Sequence, residues 1–267
     1  LAATGAAFQG LFRNSLADPF VVGASGGAAL GATLAIAVGL RFSAVGFGPV
    51  PLAAFVGALL AVAVVYAVAE GGGQAPAVAL LLAGATLGTL LSALVSLVMI
   101  LNDRTVREVM AWLLGGFGGR SWPQLLASGP YLCAGLAGIW LLARPLDALA
   151  CGDDTAQGLG LPMTRARGAI VAVASLTTAA AVAAGGIIGF VGLIAPHAAR
   201  LLFGADHRRL IPASALLGAL LLLIADDLAR TVAAPLEIPV GIVTAVLGAP
   251  FFLYLLKTHQ QEMGGRS

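Results

Sequence analysis

The sequence predicts an all-α polytopic membrane protein, folded as a compact helical bundle, on three observations. Hydrophobic residues make up 60% of the chain and charged residues only 10%, against roughly 25% charged in an average soluble domain. The apolar residues fall into long runs, most close to the ~20 residues that cross about 30 Å of hydrocarbon at 1.5 Å per helical residue. Glycine is abundant, 36 of 267 residues, and small residues let helices approach closely in lipid. A single transmembrane domain over 1–267 is expected, with no soluble domain beside it.

The spans are read from the apolar runs at 21–40, 50–69, 77–101, 124–143, 168–188, 210–229 and 239–257. A shorter run at 189–203 contains Pro196 and His197 and reads as a broken or short span, making eight. The chain opens at Leu1 inside LAATGAAFQGLF, too short to span. It is read as the last half of a transmembrane helix whose beginning lies upstream. Within the spans, Gly31, Gly39, Gly57, Gly84, Gly88, Gly192 and Gly218 are assigned to helix packing.

Strict alternation through these spans divides the basic residues between two sides. Arg13, Arg144, Arg165, Arg167, Arg200, Arg208, Arg209, Lys257 and Arg266 fall on one, and Arg41, Arg104, Arg107, Arg120 and Arg230 on the other. The richer side is expected to be cytoplasmic, together with the C-terminus. On the outer side, 102–123 reads as a short amphipathic helix from about Thr105 to Leu114 and a glycine-rich turn. Trp112 and Trp122 fit an interfacial aromatic belt there.

The longest polar interruption is 144–168, RPLDALACGDDTAQGLGLPMTRARG. It holds Arg144, Asp147, Asp153, Asp154, Arg165 and Arg167. Leu146, Leu149, Ala150, Ala156, Leu159 and Leu161 recur at helix-like spacing, and Gly152, Gly158, Gly160 and Pro162 interrupt them. This pattern predicts two short amphipathic helices joined by a turn outside the bilayer, with the LGL of 159–161 reading as a buried apolar triplet. Such a segment serves either as a contact for a soluble partner or as a loop held at the headgroups.

Several chemistries are excluded. The net charge of +2 and the scattered basic residues do not suggest nucleic acid. No GxxxxGK[ST] is present, and Lys257 is the sole lysine, so ATP used in transport must be held by another chain. Cys133 and Cys151 form no metal or disulfide pattern, and His197, His207 and His259 stand apart in sequence. No metal or cofactor is expected. Asp226 and Asp227 point about 100° apart on a helix and cannot share a proton. Arg230, four and three residues on, is placed to pair with them.

Three stretches together resemble one family: LFRNSLADPFVVGASGGAALGA at 11–32, GGFGGRSWPQL with ARPLDALACGDDTAQGLGL within 115–161, and 185–256. They look like the permease subunits of bacterial ABC importers for iron–siderophore complexes, haem and vitamin B12. The resemblance implies about ten spans, the first and most of the second missing here. It implies a non-catalytic permease homodimer in the inner membrane, two cytoplasmic ATP-binding subunits and a periplasmic substrate-binding protein. The family's coupling helices fall on 145–162, which assigns Asp153, Asp154, Gly158, Leu159 and Gly160 to ATPase contact. Its cytoplasmic gate, an Asn-Pro-Leu turn, matches Asn14 and Leu16. Ser15 stands in place of the usual Pro, which would fix φ and restrict Asn14. A periplasmic docking arginine matches Arg230. The alternative function, an ion-coupled secondary transporter, would want ionisable groups at mid-membrane depth, and the span centres carry almost none.

Overall fold

The computed structural model describes residues 1–40, 48–70 and 77–264, without the side chains of 77, 254–256 and 258–264. Arg41, Arg266 and the His259 side chain, which figured in the sequence reading, lie outside the described residues. The described residues form α1 (Ala2–Phe12), α2 (Ala24–Val38), α3 (Pro49–Glu70), α4 (Ala77–Leu101), α5 (Val106–Leu113) and α6 (Trp122–Leu141). They continue as α7 (Ala143–Ala150), α8 (Asp153–Gly158), α9 (Met163–Gly185), α10 (Val191–Phe203), α11 (His207–Thr231) and α12 (Val240–Gly264), with one 3₁₀ turn before α5.

Two helices organise the bundle. Every residue of α1 is buried, and it lies against α6, α7, α9, α10 and α11. The helix α9 is the most enclosed of the long apolar helices and touches α1, α2, α3, α6 and α8. Small residues permit this density. A Cβ added at Gly27 would meet the Gly57 carbonyl and lie 2.6 Å from the Ala61 Cβ. Glycines 31, 57, 84, 192 and 218 are likewise packed against neighbouring backbone or side chains, as expected for them. Gly88 presents its Cα to Gly26 of α2, where an added Cβ would lie 3.5 Å away, whereas Gly39 faces open space. Gly39 instead caps α2 at φ 68°, a conformation in which a Cβ is strained.

Among the described residues, five helices are long and apolar enough to cross a membrane: Pro49–Glu70, Val78–Leu101, Trp122–Leu141, Met163–Gly185 and His207–Thr231. Two shorter apolar helices, Ala24–Val38 and Val191–Phe203, and the apolar first part of α12, Val240–Leu253, add to them. Of the eight expected spans, the run at 21–40 is shorter than read and the run at 189–203 is short as expected. The run at 21–40 falls short because turns occupy 18–23, leaving 15 helical residues, about 22 Å of helix. The run at 189–203 is a half-helix. Gly186 and Phe190 take positive φ, and α10 begins only at Val191. These two irregular stretches approach each other inside the bundle, where Pro19 stands beside Gly192. Gln9 of α1 donates from Nε2 to the Gly192 carbonyl at 3.2 Å and accepts at Oε1 from Arg200 at 2.9 Å. Non-helical backbone at membrane depth is tolerated when protein encloses it in this way.

The ends of α6, α9 and α11 are fixed by named contacts, so the bundle has two distinct polar ends. One carries Arg13, Asp147, Asp153, Arg167 and His207. The other, 25 residues along α11, carries Arg120, Asp226, Arg230 and Glu237. The helix α6 begins at the second end with a capping box, in which Ser121 N–H donates to Gln124 Oε1 at 3.1 Å. It finishes at the first end, where Trp140 Nε1 donates to the Arg208 carbonyl at 3.1 Å. At the second end α5 packs against α2 with Val109 buried, and it is more than a surface anchor. Trp122 is exposed, as a belt residue would be, but Trp112 packs inward against the core.

Candidate functional site

The polar segment folds as two short amphipathic helices, α7 and α8, joined at Cys151 and Gly152. Leu146, Leu149 and Ala156 are fully buried against the bundle, so the segment is part of the rigid body. Its apolar spacing positions it: each helix presents one apolar stripe to α1, α9 or α11. Leu159 departs from the expected pattern. It is 72% exposed, because α8 ends at Gly158 and the chain turns through Gly160 at φ 77°. Leu161 packs on the core while Leu159 points away from it. Gly158, Gly160 and Asp154 are exposed beside it, giving an apolar knob in a polar rim.

Asp153, half-exposed beside it, is also engaged within the bundle. Its Oδ2 accepts from Arg167 Nη2 at 2.7 Å, and its Oδ1 lies 3.7 Å from Arg13 Nη2. Arg167 is buried, with a side-chain exposure of 10%. The carboxylate thus joins the starts of α8 and α9 to the end of α1.

A second tie lies next to it. His207 is buried, its Nδ1 lies 2.5 Å from Asp147 Oδ1, and its backbone N–H donates to the same oxygen at 3.0 Å. A carboxylate can only accept, so Nδ1 carries the proton. Asp206 caps α11, accepting from Arg208 N–H at 2.9 Å. In sequence His207 reads as an isolated residue near a span end; in the fold it locks α11 to α7. Sixty residues separate the partners, and no local pattern announces the pair.

The turn after α1 holds Asn14 and Leu16. Asn14 Oδ1 accepts from Leu16 N–H at 2.9 Å, and the Asn14 carbonyl from Ala17 N–H at 3.0 Å. This Asx turn supplies a restraint that Ser15 cannot. Asn14 is exposed and Leu16 half-buried.

At the opposite end, Arg230 Nε donates to Asp226 Oδ2 at 2.8 Å, one helical turn away, and stays 45% exposed. Its ion-pair partner is Asp226. Arg230 lines a cavity of about 230 Å³ with Arg120, Asp226 and Glu237, floored by Gly116 and Gly118. Partial desolvation pulls the Arg120 guanidinium below its ordinary pKa, yet a guanidinium stays charged at any physiological pH. Among the described residues no group of three or more His, Cys, Asp or Glu is arranged to hold a metal.

A family model described as the FecCD transport family matches residues 1–258. The chain belongs to the FecCD transport family. It is 47% identical over 260 residues to the cobalamin import system permease protein BtuC of Halobacterium salinarum, covering 97% of this chain and 69% of that protein. The Fe(3+)-citrate import system permease protein YfmE of Bacillus subtilis is 42% identical, with 96% and 76% covered. The hemin transport system permease protein HmuU of Yersinia pestis is 40% identical, with 99% and 80% covered. A solved structure described as an inward-facing conformation of a metal-chelate type ABC transporter superposes with a TM-score of 0.87 at 32% identity, covering 96% of this chain and 82% of that one. This FecCD chain is accordingly an all-helical, multi-pass membrane protein of the permease type.

Proposed function

We propose that this FecCD-family chain is the permease subunit of an ATP-driven importer that carries a metal chelate from periplasm to cytoplasm. The class of cargo is inferred from the cobalamin, ferric citrate and hemin that appear in the relatives' names. The permease works as a homodimer in the inner membrane, with two ATP-binding subunits, a periplasmic substrate-binding protein and no catalysis of its own. The whole of 1–267 serves as the transmembrane domain, and the end carrying α7, α8 and the C-terminus faces the cytoplasm.

The observation that carries this reading is the segment 145–162. Its leucines pack on the bundle except for Leu159, which projects among Asp154, Gly158 and Gly160. An apolar side chain on a rigid, polar-rimmed ledge suits a soluble partner better than a headgroup layer. Asn14 and Leu16, on the same end, form the cytoplasmic gate. Arg230, half-exposed on the other end, receives an acidic residue of the binding protein.

The deciding experiment is uptake into proteoliposomes loaded with ATP, with the ATP-binding subunit and binding protein supplied and a cobalamin, haem or ferric chelate offered in turn. Uptake is expected only with ATP hydrolysis. Uptake driven by a proton or sodium gradient without the ATPase would instead establish a secondary transporter.

A further inference from the structure

We propose that the Arg13–Asp153 pair is the mechanical link between the ATPase-contacting segment and the gate turn, with Asp153 acting as a positioning residue and not as part of the ATPase contact surface. The proposal rests on the function proposed above.

Three observations lead to it. First, both Asp153 oxygens face cations of the permease itself: Oδ2 accepts from Arg167 at 2.7 Å, and Oδ1 lies in an ion pair with Arg13 at 3.7 Å, beyond hydrogen-bond reach. A carboxylate so engaged is a poor group to offer a partner, and Asp154 beside it is exposed. Second, the Arg13 guanidinium covers the turn where α7 meets α8. A Cβ added at Gly152 would lie 3.7 Å from Arg13 Nη1. Arg13 therefore spans the first two residues of the α8 entry. Third, Arg13 is a non-glycine residue at φ 50°, a left-handed conformation that strains an L-residue. Its N–H closes α1 onto the Gly10 carbonyl at 3.3 Å, and the next residue opens the Asx turn that holds Leu16. The strained backbone sits directly between the anchored guanidinium and the gate residues.

The chain of contact is short. Leu159 at the end of α8 meets the partner, the α8 start is clamped to Arg13, and Arg13 sets the first dihedral of the Asn14–Leu16 turn. On the other flank Arg167 roots Asp153 in α9, the enclosed helix of the bundle. A displacement of α8 on nucleotide binding pulls the guanidinium and so the left-handed residue. An exposed pair of this kind biases a two-state equilibrium by about fivefold or less, a bias suited to a link that must yield each cycle.

The test uses the assembled permease–ATPase complex in nanodiscs. Cys133 and Cys151, both exposed, are replaced by Ser, and Leu16→Cys is introduced. The rate of maleimide labelling at that position is compared with and without ATP. The parent is expected to show a nucleotide-dependent rate. Arg13→Gln and Asp153→Asn should each bring the ratio of the two rates towards one, and the double variant should do no more than either alone. Arg13→Lys should keep most of the response, and Arg165→Gln, an exposed cation outside the pair, all of it. Complex yield on size exclusion should stay unchanged throughout, which a role of Asp153 in ATPase contact would not allow. A nucleotide-sensitive parent whose response survives Arg13→Gln and Asp153→Asn overturns the link alone. A parent insensitive to nucleotide overturns the gate assignment and the link with it.

Discussion

Replacing Leu159 with Glu tests the coupling surface with a magnitude taken from the structure. Leu159 is 72% exposed, so the isolated permease should hardly register the change, as for surface substitutions within about 0.5 kcal/mol. Burying a whole leucine side chain contributes about 1.5–3 kcal/mol. The exposed share of Leu159 therefore leaves roughly 1–2 kcal/mol available to an interface that covers it. Losing that amount weakens binding about 5- to 30-fold at 1.4 kcal/mol per tenfold, and the carboxylate, which must then be desolvated, adds to the loss. The assay is titration of the ATP-binding subunit onto the permease in nanodiscs, followed by substrate-stimulated ATP hydrolysis, with thermal unfolding of the permease alone as the control. The expected result is a weakened complex, reduced coupled hydrolysis and an unchanged unfolding temperature. Wild-type affinity with Glu at this position would refute the argument, because no interface that covers Leu159 could accept the charge without loss.

Three further predictions concern other parts of the fold. Arg230→Glu in the permease should weaken binding-protein affinity through the association rate and flatten its salt dependence; equal affinities at low salt would reduce Arg230 to the partner of Asp226. Cysteine at Leu16 should cross-link between the two permeases of the dimer, more in one nucleotide state than another, and absence of a cross-link in every state would remove the turn from the gate. Gly27→Val should destabilise the bundle by roughly 1–3 kcal/mol, because its side chain would enter the Gly57 backbone and Ala61 of α3; thermal unfolding in detergent reads this, and an unchanged midpoint would contradict the close α2–α3 contact.

What the sequence by itself determined is what depends on composition and local period. Membrane residence, the helical class and the long apolar helices follow from apolar run length. The two helices of the polar segment follow from the spacing of Leu146, Leu149 and Ala156, and the i,i+4 partnership of Asp226 with Arg230 from helix geometry alone. Family membership was legible too, since the motifs at 11–32 and 185–256 are long and ordered. Tertiary structure decided everything that rests on which residues meet across the chain. The run at 21–40 looks like a span, but turns at 18–23 are held against α4 and α10, and enclosure by protein lets its backbone leave the helix. Leu159 and Leu161 are two residues apart in one apolar triplet; the turn at Gly160 sends one to the core and the other outward. Asp153 and Asp154 are adjacent acids with the same local pattern, and only the approach of Arg13 and Arg167 separates a held carboxylate from a free one. His207 finds Asp147 across 60 residues in the same way. Periodicity reports which face of an element is apolar, but a polar side chain's partner is set by the packing of whole helices, which no local window of sequence contains.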